Sequence, residues 1–537
     1  MRTYYPIFLL IFLNTLIFTQ VSTEWVGIYS RLPQSVNSPK DIVSDNNNNV
    51  FVTGSTRSQG YGSEKFVIIK YNPIGIQEWV KVLPGFGIGK SIAIDRDGFI
   101  IAGGQMKDTF NIPDDYCVAK LDQNGNIMWL SRYNGPLQHY DYGEYMIVDS
   151  SNNIYITGTS SDTVTYYATI KYSPNGLQQW AKRYKFRNGG GLNTPVRLAL
   201  DNSGNLYLSA HQLFTVTDED FLLVKYDNNG NQIWTRNYNS PGDSTDYCVS
   251  IAVDETGNII VAGLTNAFGL FTCKYNRDGN LVWSTPYLSG NYYYGSPSQM
   301  VIDSHSNIYI AGQVNSQNYG NNLIVKYDSN GSKLWEKSYN GSDNQDEKAN
   351  DIVIDKNGFI ISTGYIVNSN ANHADYFTVK LDPAGNQLWS TTYNAPLSSG
   401  DVSYCLTVTN SNKVVVTGQS GILPLYTTSI TTIQYGEPIG IEPVSSEIPF
   451  SFSLFQNFPN PFNPETVIKY DLPKDVKINI RIFDYLGREV AALVSNVFTK
   501  AGSYEINWNA SEFASGVYVY RIEAGEYFCT KKMVLLK

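Results

Sequence analysis

The chain has 537 residues, 42% hydrophobic, 14% aromatic and only 16% charged, with a formal net charge of −9. That length exceeds one small domain and fits two or three. Its 40 Tyr, 9 Trp and 44 Gly favour strands and turns over a helical bundle or a disordered chain, and the negative balance argues against nucleic acid as a partner.

Residues 1–23 open with one early cation, Arg2, followed by an apolar run over 7–18 broken only by Asn14 and Thr15. A bilayer span needs about 20 apolar residues, so the run reads as the core of a secretory signal peptide. No A-x-A pattern fixes the cleavage position, and no nearby Cys offers a lipid attachment point. No later stretch is long and apolar enough for a membrane helix, so no transmembrane span is expected after cleavage. Five cysteines (Cys117, Cys248, Cys273, Cys405, Cys529) are scattered, odd in number and set in apolar strand-like runs. They read as buried single thiols. Cys248–Cys273 is the only short-range pairing, and a strand falls between its members.

From 24 to 436 the chain repeats itself. Asp, three residues, an apolar run and then Gly nine positions after the Asp recur at Asp45, Asp95, Asp149, Asp254, Asp303 and Asp355. Looser copies start at Asp201 and Thr409, and the seven intervals between the eight starts run 50, 54, 52, 53, 49, 52 and 54 residues. A second phrase, cleanest as KYDNNGNQIW at 225–234, places Trp at 79, 129, 180, 234, 283, 335 and 389. The eighth copy stops at TTIQYG (431–436) before any Trp, and the missing Trp stands at the other end as Trp25.

Each period divides into four strands, as in 91–95, 99–103, 116–122 and 126–133. The Asp-x-x-Gly spacing suits a type I turn closed by a left-handed Gly, joining strands one and two and strands three and four. Strand one is apolar at nearly every position and reads as buried on both faces; strand four alternates like an outer strand. One Trp per repeat reads as packing between repeats, each burying ~150–250 Å². The repeated Lys70, Lys120, Lys171, Lys225, Lys274, Lys326 and Lys380 read as structural, with apolar stems on the sheet and heads at water. Four strands per repeat, with one end supplying what the other lacks, describe an all-β, eight-bladed β-propeller closed by its N-terminal strand. The phrases resemble the bacterial β-propeller repeat family with the D-x-F-V-x-K-x-D-x-x-G-N-x-x-W consensus.

The period ends at Gly436. The Pro- and Ser-containing stretch 437–449 reads as a linker. Residues 450–537 then give about seven short strands, the pattern of a small Ig-like β-sandwich. PNPFNP at 459–464, Gly487–Arg488–Glu489–Val490, Ser515–Gly516–Val517–Tyr518 and Lys531–Lys532–Met533–Val534 resemble the C-terminal sorting domain of type IX secretion. That resemblance implies passage across the outer membrane of a Gram-negative bacterium, with Gly487, Arg488, Gly516, Tyr518, Lys531 and Lys532 as the sorting signal and the type IX machinery as partner. On physical grounds alone 484–487 is a hairpin turn and Gly516 a tight corner.

The search for chemistry is mostly negative. His139, His211, His305 and His373 fall in different repeats without metal-ligand spacing, and no nucleophile elbow, P-loop or calcium loop occurs. No cofactor is expected. The phrase Asp227…Gly230…Trp234 is similar to the docking phrase of quinoprotein dehydrogenases, but no adjacent cysteine pair or C-x-x-C-H accompanies it. Short, near-uniform turns fall on one face of the ring, and long, unequal connections on the other. Recognition concentrates on such loops. Tyr140, Tyr142, Tyr292, Tyr293 and Tyr294 are the candidate ligand contacts, the plain alternative being that they cap the channel. The reading is a secreted or surface protein, not an enzyme, that binds a glycan or protein; the alternative is an extracellular propeller enzyme of quinoprotein-like or glycan-active type.

Overall fold

The computed structural model describes residues 21–537 except 32–34, 59–63, 110–111, 186–196, 214–218, 241–244, 266–268, 288–293, 317–318, 342–344, 369–372, 397, 423–426, 437–440, 446–448, 500 and 512. The signal peptide expected over 1–23 thus lies almost wholly outside the described residues.

Every Asp-x-x-Gly phrase folds as a tight turn. In the turn at 95–98 the Gly98 N–H donates to Asp95 O (3.0 Å), and the Asp95 carboxylate accepts the N–H groups of Asp97 and Phe99. Asp therefore satisfies donors that the reversal would otherwise strand, while Gly98 takes φ +83°. Each turn joins antiparallel strands. In 86–133 the strands Phe86–Ile94, Ile100–Lys107, Asp115–Leu121 and Ile127–Tyr133 pair in chain order. The same order holds in 35–82, 141–185, 197–238, 246–286, 294–339 and 348–393. A further four-stranded sheet draws on both ends of this region: Ser398–Val408, Val414–Ile422 and Thr427–Tyr435 are completed by Thr23–Tyr29. The N-terminal strand runs antiparallel there, from Thr23 opposite Tyr435 to Tyr29 opposite Ile430.

First strands of successive sheets pack on one another, and Ser398–Val408 packs on Ser35–Ser44, so the cycle of neighbours closes. Strands two and three carry the core. Ile100–Lys107 and Asp115–Leu121 are almost entirely buried, because alternate side chains meet the sheets on either side. Phe51, Phe66 and Ile68 of one sheet thus cluster with Ile92, Ile100 and Cys117 of the next. The first strand differs from the sequence reading. Phe86–Ile94 alternates between buried and half-buried positions, as do Ser35–Ser44 and Asp141–Val148. Its two faces still meet the sheets on either side, Ile92 beside Phe51 and Phe66 and Ala93 beside Met146 and Ile156, but the second of these faces is only half-buried.

The repeated Trp and Lys meet at one point of the next sheet. The Trp79 Nε1–H and the Lys70 ammonium both donate to Gln123 O, at 3.0 and 3.1 Å. Trp129 and Lys120 share Pro174 O, Trp180 and Lys171 share Asn228 O, and Trp335 and Lys326 share Pro383 O. Each indole lies over the turn glycine beside that carbonyl: a Cβ on Gly125 (φ +79°) would stand 2.9 Å from Trp79 Cδ2. Glycine is required there on two counts, conformation and space.

The lysine heads are buried, not at water, which corrects the sequence reading. Their charge is neutralised in two ways. Where the sixth residue after the turn Asp is Ile, the lysine pairs with that Asp directly: Lys120–Asp95 (2.8 Å), Lys274–Asp254 (3.1 Å) and Lys380–Asp355 (3.1 Å). Where it is Tyr, the phenol takes the carboxylate (Tyr155–Asp149, Tyr207–Asp201, Tyr309–Asp303), and the ammonium sits about 5 Å over the ring. Lys70 turns instead to Glu78 (2.8 Å). The closing sheet has Thr409 and Gln434 at these two positions, so both charges are absent together; Gln434 Nε2 donates to Pro73 O (3.5 Å).

All five cysteines are free, with Cys117, Cys248 and Cys273 buried and Cys405 and Cys529 half-buried. Desolvation pushes Cys117 up to about 12 and Cys248 to about 11, which keeps both as inert thiols.

Thr23–Asn386 with Thr391–Gly436 form one compact unit, and Glu437–Lys537 belongs to a second. The second unit has two four-stranded antiparallel sheets. One contains Ile441–Ser445, Ser453–Leu454, Glu465–Leu472 and Gly502–Asn509; the other contains Val476–Asp484, Glu489–Thr499, Gly516–Ala524 and Tyr527–Leu535. Ile468, Tyr470, Ile480, Ile482, Tyr520 and Ile522 bury between them. Part of the expected linker is therefore a strand: Ile441 pairs with Ile506 and Pro443 with Tyr504. Pro443 is tolerated because this strand lies at the sheet edge, where a missing N–H breaks no ladder.

Candidate functional site

Two regions of the ring gather polar side chains: the centre, and the face bearing the long connections. At the centre, first strands bulge at one recurrent point, skipping Lys40, Lys90, Glu144, Val249, Ser298, Asn350 and Tyr404. A bulge re-aims the residue after it. The positions that follow, four before each turn Asp or Thr409, are Asp41, Ser91, Tyr145, Ser250, Gln299, Asp351 and Cys405, and Arg197 stands at the same level of its strand.

These side chains sew neighbouring sheets together. Asp41 Oδ2 accepts from Ile92 N–H (2.8 Å) and Ser91 Oγ (3.2 Å), and Asp351 Oδ2 accepts from Leu406 N–H (2.8 Å). Ser250 Oγ donates to Gln299 Oε1 (2.7 Å), Lys90 pairs with Glu144 (2.9 Å), and the Arg197 guanidinium lies 5.2 Å over the Tyr145 ring. Desolvation pushes Asp41 up to about 6 and Asp351 to about 7, against hydrogen bonds that favour the ionised forms. The carboxylate oxygens are occupied by backbone N–H groups, so they act as clasps. Among the described residues no group of His, Cys, Asp and Glu is arranged to hold a metal ion.

On the long-connection face Tyr140 and Tyr142 come together. Their rings stack at 5.9 Å and 15°, with Tyr140 46% exposed and Tyr142 half-buried. The Ser161 N–H donates to Tyr140 O (3.0 Å), and Asp141 between the two rings fixes the base of the loop by accepting from Gly135 N–H (2.6 Å). Asp141 N–H in turn donates to Asp114 O (2.7 Å), which brings Asp114 and Asp115 of the preceding sheet alongside. Desolvation and then the Asp141 charge push half-buried Asp115 up to about 6. Tyr292 and Tyr293 lie outside the described residues. Tyr294 opens the strand Tyr294–Ile302, and its side chain lies outside them as well.

Sequence reasoning missed both the central ring and the loop hooks. The hook recurs eight residues before the turn Asp or Thr: Asp246 accepts from Ser240 N–H (2.6 Å), Glu347 from Gly341 N–H (2.6 Å) and Asp401 from Ala395 N–H (2.8 Å). The signal was present as an acidic residue at a fixed offset. The central ring likewise shows as a polar column inside an otherwise apolar strand.

In the second unit the expected sorting residues spread over the fold. Gly487 (φ +77°) closes the turn at 484–487, and Arg488 Nε donates to Asp484 Oδ2 (2.7 Å). Gly516 begins the strand Gly516–Ala524, and buried Tyr518 donates its hydroxyl to Ala514 O (2.7 Å) and meets Trp508 edge-on. Lys531 is half-buried and Lys532 exposed on the last strand.

Residues 456–536 match the family "Secretion system C-terminal sorting domain", and residues 233–271 match the family "Beta-propeller repeat". The chain carries a β-propeller repeat within the ring and a type IX sorting domain in its second unit. That domain implies the type IX machinery as partner and secretion or surface display as destination. An uncharacterized WD repeat-containing protein of Acanthamoeba polyphaga mimivirus is 28% identical over 164 residues, 27% of this chain; the chain spans 11% of that relative's length. Among solved structures, the β-propeller domain of the Trilobed protease from Pyrococcus furiosus is similar at TM-score 0.37 and 8% identity, covering 70% of this chain and 95% of that one. A fungal alcohol oxidase in complex with copper is similar at TM-score 0.44 and 14% identity, covering 97% of this chain and 100% of that one. A PL25 ulvan lyase is similar at TM-score 0.37 and 12% identity, covering 70% and 94%.

Proposed function

We propose that this protein is a secreted or outer-membrane-surface binding protein: an eight-bladed propeller closed by its N-terminal strand, followed by an Ig-like sorting sandwich. It recognises a neutral glycan or a protein through its long-connection face. The supporting observation is the Tyr140–Tyr142 stack, a rigid aromatic surface nearly half exposed at its outer ring and pinned at its base by the bonds of Asp141 to Gly135 and Asp114. Aromatic faces stack on sugar rings, and the phenol hydroxyls can donate to or accept from ligand hydroxyl groups. With a net charge of −9, polyanions are the least suited ligands.

Glycan-array and pull-down screening of the full chain tests the reading. For any hit, Tyr140→Ala should weaken binding about tenfold or more, as loss of an aromatic anchor does. Asn229→Ala, in a short turn on the opposite face, should leave it unchanged. Loss of binding from Asn229→Ala alone would place recognition on the other face and refute the proposal.

A further inference from the structure

The protein builds one turn again and again. Fifteen times among the described residues of the propeller, the N–H of the fourth residue donates to the carbonyl of an Asp, Asn, Ser or Thr three positions earlier. The sixteenth case is 484–487 in the sorting domain, where Gly487 N–H donates to Asp484 O (3.0 Å). Its construction is the same: Asp484 Oδ1 accepts from Leu486 N–H (2.9 Å) and Arg488 N–H (3.0 Å), just as Asp95 Oδ1 serves Asp97 and Phe99.

The turn itself places no demand on its two middle residues, and the propeller fills them accordingly. They read Arg96–Asp97, Gln123–Asn124, Ser150–Ser151, Ser329–Asn330 and the like, and Ile74 is the single large apolar residue among all fifteen pairs. At 484–487 they are Tyr485 and Leu486. Both point into open solvent, 77% and 60% exposed. Exposing two large apolar side chains side by side on a hairpin tip contributes nothing to the sandwich core and favours association. Arg488 stands beside them, its Nε held by Asp484 and its side chain 73% exposed.

We infer that the Tyr485–Leu486 tip is the surface by which the sorting domain engages the type IX machinery, seating both side chains in an apolar socket with an acidic rim for Arg488. The inference rests on the sorting reading of this domain. The turn is stiff before contact, since three hydrogen bonds to Asp484 and the left-handed Gly487 fix its shape, so little ordering entropy opposes docking. Gly487 and Arg488 then matter for transport because they set the shape and charge of this tip.

The test replaces Tyr485→Ser together with Leu486→Asn in the full chain, which reproduces the Ser329–Asn330 turn of the propeller. In a host with type IX secretion, the fraction reaching the surface or medium should fall about tenfold, as when interface anchors are truncated. The retained protein should melt at the wild-type temperature. Ile74→Asn, which removes the other apolar tip residue, should leave export unchanged. Normal export of the double variant overturns the inference, as does an equal loss from Ile74→Asn. Should the double variant melt early, Leu486→Asn alone is read by the same criteria. Deletion of 437–537 separates the two levels: if the deleted chain is still exported, the sorting reading fails; if only the tip variant is exported, the docking surface fails.

Discussion

Removing one buried lysine should cost very different amounts in different sheets, because the structure neutralises that charge in two ways. Lys380 is 2% exposed and faces a fully buried Asp355 carboxylate at 3.1 Å. Lys380→Met keeps the packed stem but removes the counter-charge of a buried carboxylate, which is left with hydrogen bonds from the Asn357 and Phe359 N–H groups and Asn412 Nδ2 (3.2 Å). Breaking a buried pair by removing one partner costs about 3–5 kcal/mol. Lys171→Met should cost about 1–2 kcal/mol, because Asp149 keeps the Tyr155 hydroxyl (3.1 Å) and Asn153 Nδ2 (2.9 Å), and what is lost is uncharged: the bonds to Asn228 O and Oδ1 and the place over the Tyr155 ring. The closing sheet supplies a rescue, since Thr409 and Gln434 occupy the same two positions without charge. Asp355→Thr with Lys380→Gln should cost at least about 2 kcal/mol less than the sum of its single changes. Urea unfolding of the full chain, read at the propeller transition by Trp fluorescence, measures all five variants. Equal losses for Lys380→Met and Lys171→Met, or simple additivity in the double change, would refute the two-solution account.

Two further predictions concern the ring. Deleting 24–30 removes the outer strand of the closing sheet together with Trp25, which stacks on Tyr71 at 5.6 Å, so the melting temperature should drop by well over 5 °C in calorimetry. A shift within a degree or two would mean the strand does not close the ring. Asp351, with its folded value near 7 against an ordinary 3.8, binds its proton more tightly in the folded state, so its contribution falls as pH rises through about 4 to 7 and is flat above that. Asp351→Asn keeps an acceptor for Leu406 N–H and should therefore match wild type near pH 4 and exceed it by about 4 kcal/mol at pH 8. Buried His211, held near 4 by desolvation, pulls the other way below pH 6.5 in both proteins and so cancels in the difference. A variant less stable than wild type at pH 8 would show that the ionised Asp351 is a net stabiliser.

What the sequence made legible was whatever repeats locally. Asp and Gly nine apart placed the turns and strands, and the recurrent Trp placed the packing between sheets, because both signals sit within one period. The lysines were misjudged for the opposite reason. A Lys head looks solvated until the carbonyl of the next turn, some 50 residues on, is brought over it, as Pro174 O is over Lys120. The first strand looked doubly buried because Ile92 and Ala93 are both apolar; Ile92 does meet the sheet before it and Ala93 the sheet after it, but the second contact leaves Ala93 half-buried, which local composition does not reveal. Pro443 suggested a linker, since nothing local distinguishes an edge strand from an irregular segment. Tyr140 and Tyr142 were singled out as exposed loop aromatics, but their stacking depends on Asp141, whose role appears only once Gly135 folds back onto it.

That last contact bears on the proposal that recognition uses the long-connection face. A loop that varies in length from sheet to sheet would ordinarily be a poor place for a rigid surface, because its ordering must be achieved on binding. Here the acidic hooks at Asp141, Asp246, Glu347 and Asp401 fasten the base of four such connections by one hydrogen bond each from a backbone N–H six residues upstream. The fastened base leaves the tip free to differ, and in the connection after Tyr133 it carries Tyr140 directly beside the hook. A short-turn face has no comparable freedom: its residues are already committed to the carbonyls and carboxylates that receive Trp, Lys and backbone N–H groups. One face of the ring is thus consumed by its own assembly, and the other is anchored at its root and open at its surface.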